Sequence, residues 1–150
     1  LKLFIDRLRP VVDAAEKIGA TMAIEPVYTH IVSDGKRARR VLDEIHSPNL
    51  KIILDPVNLL HPDNLARRGA VIDEAIELLG DDVAIVHLKD YHATATALPA
   101  CACGTGEMDY DAVLRFVNAR KPHIQMTLED TVPDNAEAAR LFIERRAQEV

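Results

Sequence analysis

Four short apolar runs punctuate the chain, at Thr21 to Ile24, Lys51 to Leu54, Val83 to Val86 and Ile124 to Leu128. Their length suits buried strands. Between them, apolar residues recur every three or four positions, which is the period of one helix face. A leading helix over residues 1–18 is carried by Leu1, Ile5, Leu8, Val12, Ala15 and Ile18, with Gly19 placed to cap it. A second helix starts at Ser33 or Asp34, either of which can accept a hydrogen bond from a first-turn N–H. It runs to Ile45 on Val41, Leu42 and Ile45, before Ser47, Pro48 and Asn49 break it. The third carries Val71, Ile72, Ala75, Ile76 and Leu79 and ends at Gly80; the fourth carries Val113, Leu114 and Val117 and stops before Pro122. Asp134 or Asn135 starts the last, which continues towards Val150. One helix followed by four strand-and-helix pairs is the alternation of a parallel α/β architecture.

A polar residue stands at or beside the C-terminal end of each run: Glu25, Asp55, His87 and Glu129. By subtraction they lie 30, 32 and 42 residues apart, close to the length of one βα unit. The longest interval holds an extended loop from Tyr91 to Met108, too long for a simple connection. In parallel α/β folds, side chains at the C-terminal strand ends surround the mouth where active sites form. Three carboxylates and one imidazole aimed at one point make a donor set for a divalent metal. Plainer roles exist for each residue taken alone. Asp55 before Pro56 suits a turn, His87 suits a core histidine bonded to a carbonyl, and Glu129 suits a solvated charge.

Composition narrows the class. The 150 residues are 48% hydrophobic and 28% charged, which is enough apolar material for one globular domain spanning residues 1–150. A net charge of −6, from 24 acidic and 18 basic residues, argues against a broad polyanion-binding face and so against nucleic acid. No apolar run approaches the roughly 20 residues of a membrane helix. The N-terminus has no signal-peptide pattern, so a cytoplasmic location is expected. Cys101 and Cys103 are too close in sequence for an unstrained disulfide, which fits a reducing compartment.

The ordered motifs AIEP (23–26), ILDPVN (53–58), VHLKD (86–90), GTGEMDY (104–110) and TLED (127–130) resemble the C-terminal half of xylose-isomerase-like barrels. That family includes sugar isomerases, epimerases and inosose dehydratases. The resemblance implies the C-terminal half of a (β/α)8 TIM barrel, with four parallel strands alternating with helices after the leading helix. It also implies that Glu25, Asp55, His87 and Glu129 hold one divalent metal, and that Glu25 and Glu129 act as acid and base. The implied activity is isomerisation or epimerisation of a small sugar or polyol by proton transfer through a metal-stabilised enediolate, with inosose-type dehydration as a near variant. Manganese is the first choice of ion, with magnesium, cobalt or zinc as alternatives that ligand type does not separate.

Further residues are assigned to the substrate. Asn58 stands where many relatives of this family carry a histidine; it keeps hydrogen-bond capacity but cannot ligate a metal as an imidazole would. His61, Lys89 and Asp90 are the other substrate-contact candidates. Gly104 and Gly106 read as a tight turn ahead of Asp109 and Tyr110. The endonuclease branch of the same barrel is disfavoured by Asn58, by the acidic balance, and by the expectation that no Asp-x-His element occurs in the loop after His87. A complete barrel has eight strands in about 250 residues. Four strands leave an open half, so the chain is expected to be a fragment, a catalytically incomplete half-barrel, or a unit that pairs with a second copy or a separate N-terminal half.

Overall fold

A computed structural model describes residues 1–150. In chain order the main elements are α1 (Lys2–Lys17), β1 (Met22–Ile24), α2 (Gly35–Ile45), β2 (Leu50–Leu54) and α3 (Arg68–Leu79). They are followed by β3 (Val83–Leu88), β4 (Asp90–Tyr91), β5 (Ala100–Cys101), α4 (Asp111–Arg120), β6 (Gln125–Leu128) and α5 (Pro133–Glu149). Short 3₁₀ turns over Val57–Leu59, Leu65–Arg67 and Gly80–Asp82 complete the connections.

The sheet follows chain order, β1-β2-β3-β6, and every pairing is parallel. All four expected strands are present, and β3 continues two residues past Val86, so that His87 lies inside it. The loop after β3 contains a small antiparallel pair, β4 with β5, for which the sequence pattern gives no sign. Each long connection returns through a helix, which parallel pairing requires.

Side-chain alternation divides the sheet into two faces. Leu50, Ile52 and Leu54 of β2 and Val86 and Leu88 of β3 are almost completely buried. They join Val41 and Ile45 of α2, Ile72 and Leu79 of α3 and Val113 and Val117 of α4 in one contiguous core. Burying each of these side chains contributes roughly 1.5–3 kcal/mol. The intervening residues Lys51, Ile53, Ile85 and His87 are only partly buried and belong to the opposite face.

Helix boundaries follow local chemistry. Asp34 is the cap of α2, its carboxylate accepting the Arg37 N–H at 2.8 Å. The helix ends where His46 turns left-handed (φ 56°), one residue before the Ser-Pro-Asn break. The last helix begins at Pro133, earlier than Asp134 or Asn135, because proline has no N–H to leave unpaired in a first turn. Asn135 instead accepts the Val132 N–H at 2.8 Å. No helix is long and apolar enough to cross a membrane.

Both cysteines are free thiols. Cys103 is buried, and burial pushes its thiol up to about 11. Iodoacetamide at pH 8 should therefore alkylate the partly exposed Cys101 in the folded protein and spare Cys103 until urea is added, with peptide mass mapping as the check.

Candidate functional site

The strand register brings the strand-end residues to one place on the inner face. Ile24 pairs with Ile52, so Glu25 sits low on β1. A shift between Ile52 and Ile53 sets Leu54 opposite Val86, and one further step brings Asp55 level with His87. Leu88 pairs with Leu128, so the next residues, Lys89 and Glu129, are level on neighbouring strands. The ladder continues there, with the Glu129 N–H donating to Leu88 O at 2.9 Å.

Glu25, Asp55 and His87 form a group whose donor atoms all lie within 4.8 Å of one another. Asp55 is 1% exposed. Its Oδ1 accepts the N–H groups of Val57 (3.0 Å) and Asn58 (3.1 Å), which is the turn that Asp-Pro sequences favour. Its Oδ2 is left over and points into the group. Asp55 thus fills the plain role with one oxygen and keeps the other for charged partners. His87 Nδ1 lies 3.5 Å from Glu25 Oε1 and 2.8 Å from Glu129 Oε1. Glu129 therefore borders the triad, and Lys89 holds its second oxygen.

Lys89 Nζ lies 2.7 Å from both Asp55 Oδ2 and Glu129 Oε2. Even so, Asp55 Oδ2 and His87 Nδ1 have no hydrogen-bond partner in acceptable orientation. We read the Lys89–Asp55 contact as a charge attraction without a directed bond. Buried polar atoms without a directed hydrogen bond are costly, even with a charge nearby. The donor set of carboxylate oxygens and one imidazole nitrogen fits a divalent ion, and such an ion would partner both atoms. Burial lifts the Asp55 carboxyl to about 6, against the pull of Lys89. Burial also works against ionised Glu129, but the hydrogen bond and charge of Lys89, with His87, hold it below the usual glutamate value. For Lys89 burial opposes the charge, yet Asp55 and Glu129 outweigh it and raise the ammonium above the ordinary lysine value.

The substrate candidates separate. Asn58 donates from Nδ2 to Glu25 Oε1 at 2.8 Å, so it orients that carboxylate. Asn58 and Lys89, which touch Glu25 and Asp55, line a neighbouring cavity of about 370 Å³ with His61, Val57 and Leu98. Tyr28 also lines it and stacks on His61 at 4.5 Å between ring centroids, a contact with no sequence signal beyond its place three residues after Glu25.

Asp90 does not join them. It is 1% exposed, and its carboxylate accepts the N–H groups of Tyr91 (2.9 Å), Met108 (2.8 Å) and Gly104 (3.1 Å). This staple closes the long loop. Tyr110 adds a bond from its hydroxyl to Lys89 O at 2.9 Å. Gly104 is left-handed at φ 82°, and a Cβ on Gly106 would lie 2.3 Å from Tyr91 O. The two glycines thus serve the tight turn expected of them. One expectation is corrected here, because Asp90, Tyr91 and His92 do spell Asp-x-His directly after β3. Asp90 is committed to backbone N–H groups, His92 is exposed, and neither belongs to the metal-competent group.

A parallel sheet with carboxylates and a histidine gathered at its C-terminal ends defines a half-barrel of the α/β class with an active-site-like mouth. A family model described as xylose isomerase-like TIM barrel matches residues 1–146, and the chain belongs to that family. It is 31% identical over 107 residues to the 3-oxo-isoapionate decarboxylase of Pectobacterium atrosepticum, covering 65% of this chain and 36% of that protein. The probable 3-DHS dehydratase AsbF of Bacillus anthracis superposes with a TM-score of 0.71 at 15% identity, over 94% of this chain and 54% of that one. The 3-keto-D-glucoside 4-epimerase YcjR of E. coli gives 0.67 at 20%, over 98% and 53%. At such identities the solved structures establish the fold alone. Among other solved relatives, the IOLI protein holds zinc (0.62, 20%, 96% and 51%) and a Mycobacterium smegmatis protein is a magnesium complex (0.59, 15%, 98% and 49%). The chain spans about half the length of these solved relatives and 36% of the curated one.

Replacing Gly106 with Ala should lower stability by about 1–3 kcal/mol, because backbone and the Asp90 carboxylate occupy the space. Gly69→Ala, where a Cβ meets nothing within 4 Å, is the control and should leave the melting temperature unchanged or higher.

Proposed function

We propose that this chain carries the metal-and-base half of an active site for proton transfer beside the carbonyl of a small sugar or polyol, as an isomerase or epimerase. The observation that supports this best is the pair of buried, unpartnered atoms, Asp55 Oδ2 and His87 Nδ1, flanked by two glutamates. Glu25, Asp55 and His87 would hold one divalent ion, with Glu129 at its border; manganese is preferred, and zinc, magnesium or cobalt suit the same donors. Such an ion supplies stabilisation of the negative charge that develops on the carbonyl oxygen when a neighbouring proton leaves.

The chain's own residues do the rest. Glu129, beside His87, would take a proton from the substrate carbon next to the carbonyl, and Glu25, oriented by Asn58, would return one. Return to the opposite face of the same carbon gives epimerisation; return to the former carbonyl carbon, with the hydroxyl proton passing to the former carbonyl oxygen, gives isomerisation. Loss of a β-hydroxyl from the same intermediate gives dehydration, as in the inosose-type variant. The Tyr28–His61 stack forms a flat wall against which a sugar face can pack.

Glu129→Gln should reduce turnover by about 10²–10⁴-fold. The readout is loss of deuterium incorporation next to the carbonyl in D₂O, followed by NMR on unphosphorylated keto-sugars with Mn²⁺ present. Unchanged exchange would remove Glu129 from the proton path.

A second possibility, a half-barrel needing a complement, is favoured by the two free edges, β1 and β6. Beside the β1 edge, a cavity of about 480 Å³ is lined by Phe4, Ile24, Ile31 and Glu25 itself, so one wall of the site opens outward. Ile31 and Met126 are exposed along these edges. Unpaired parallel edges with apolar neighbours seek partners. The 150-residue chain should therefore run above monomer mass in light scattering, through a second copy or an added N-terminal half; a stable monomer at high concentration would rule out self-pairing.

A further inference from the structure

Lys89 occupies a place that a metal site does not need filled. It follows His87 by two residues on the same strand face, and the register sets it level with Glu129. Its Nζ touches Asp55 Oδ2 and Glu129 Oε2 at 2.7 Å each, and its side chain is only 9% exposed. On Asp55, Oδ1 is already taken by the N–H groups of Val57 and Asn58, which leaves Oδ2 as the one oxygen available. An ammonium and a divalent ion would therefore compete for the same atom. We infer that Lys89 is a built-in counter-ion, neutralising Asp55 while no metal is bound and displaced from Asp55 into the neighbouring cavity when a divalent ion enters.

The inference rests on the metal site proposed above. Three features support the displacement. The contact to Asp55 Oδ2 is an ion pair across 2.7 Å, an attraction that an ion of twice the charge competes with directly. The Lys89 backbone is fixed by the Tyr110 hydroxyl on its carbonyl and by the Asp90 staple one residue on, so movement is confined to the flexible four-carbon stem. The way out is open, because Lys89 lines the cavity that also holds Asn58, His61 and Tyr28. Two cations on one oxygen repel strongly at low effective dielectric, which drives the exchange. Once released, the ammonium can donate to a hydroxyl or carbonyl oxygen of the substrate. Metal loading and substrate recognition are then one linked step.

The test uses Mn²⁺ alone, on the 150-residue chain. Reductive methylation followed by peptide mass spectrometry should find Lys89 protected in chelator-treated protein and labelled once Mn²⁺ is added. Lys89→Met, checked for folding by circular dichroism, should bind Mn²⁺ at least about tenfold more tightly than the wild type, as measured by calorimetry. Wild-type binding with Lys89 protected throughout and no gain in the variant would overturn the counter-ion role while leaving the metal site standing. If neither protein binds Mn²⁺, the metal site fails and the inference fails with it. Binding by the variant but not by the wild type would show that Lys89 blocks the site and would overturn its displacement by the ion.

Discussion

Everything at the site depends on the alternation of side chains along parallel strands whose other face is covered. Leu50, Ile52, Leu54, Val86 and Leu88 are committed to the helices, so Asp55, His87 and Lys89 must project from the opposite face. A one-residue slip in β2 or β3 would send polar groups into the core and apolar groups to the mouth. The cost of exposing the core thereby fixes the direction of the chemistry. This is how a fold stabilised by ordinary hydrophobic burial aims its carboxylates at one point.

That convergence creates an electrostatic problem, which the site meets with local partners. Glu25 is held by an amide from Asn58, Asp55 by two backbone N–H groups, and Glu129 by an ammonium and an imidazole. Burial still raises Asp55, because desolvation outweighs the attraction of Lys89. Glu25, Asp55 and His87 form a group that could hold a metal ion. The solved relatives include a zinc-holding protein and a magnesium complex on the same fold.

The long loop shows how a binding cleft is built from backbone satisfaction. Asp90 accepts N–H groups from both ends of the loop, Gly104 and Gly106 let the chain approach it, and Tyr110 ties the result to Lys89. A residue that looks like a ligand by its place in HLKD is in fact the loop's anchor. The motif from HLKD to GTGEMDY is therefore one structural device spread over two segments.

The sequence by itself determined the order of the helices and of the four parallel strands, an α2 start at Ser33 or Asp34, and the placing of Glu25, Asp55, His87 and Glu129 at or beside strand ends. These rest on local periodicity and on chemistry within a few residues. Its apolar spacing located α5, but the start at Pro133 depended on which N–H groups the first turn leaves unpaired. Only the tertiary structure decided register: the shift between Ile52 and Ile53, the level pairing of Lys89 with Glu129, and the lower seat of Glu25. It also decided partners across distance, such as Asn58 with Glu25, Tyr28 with His61, and Asp90 with Met108. Hydrogen bonds and ion pairs between segments 18 to 40 residues apart leave no periodic trace in a single chain, because either partner alone has several equally good local uses.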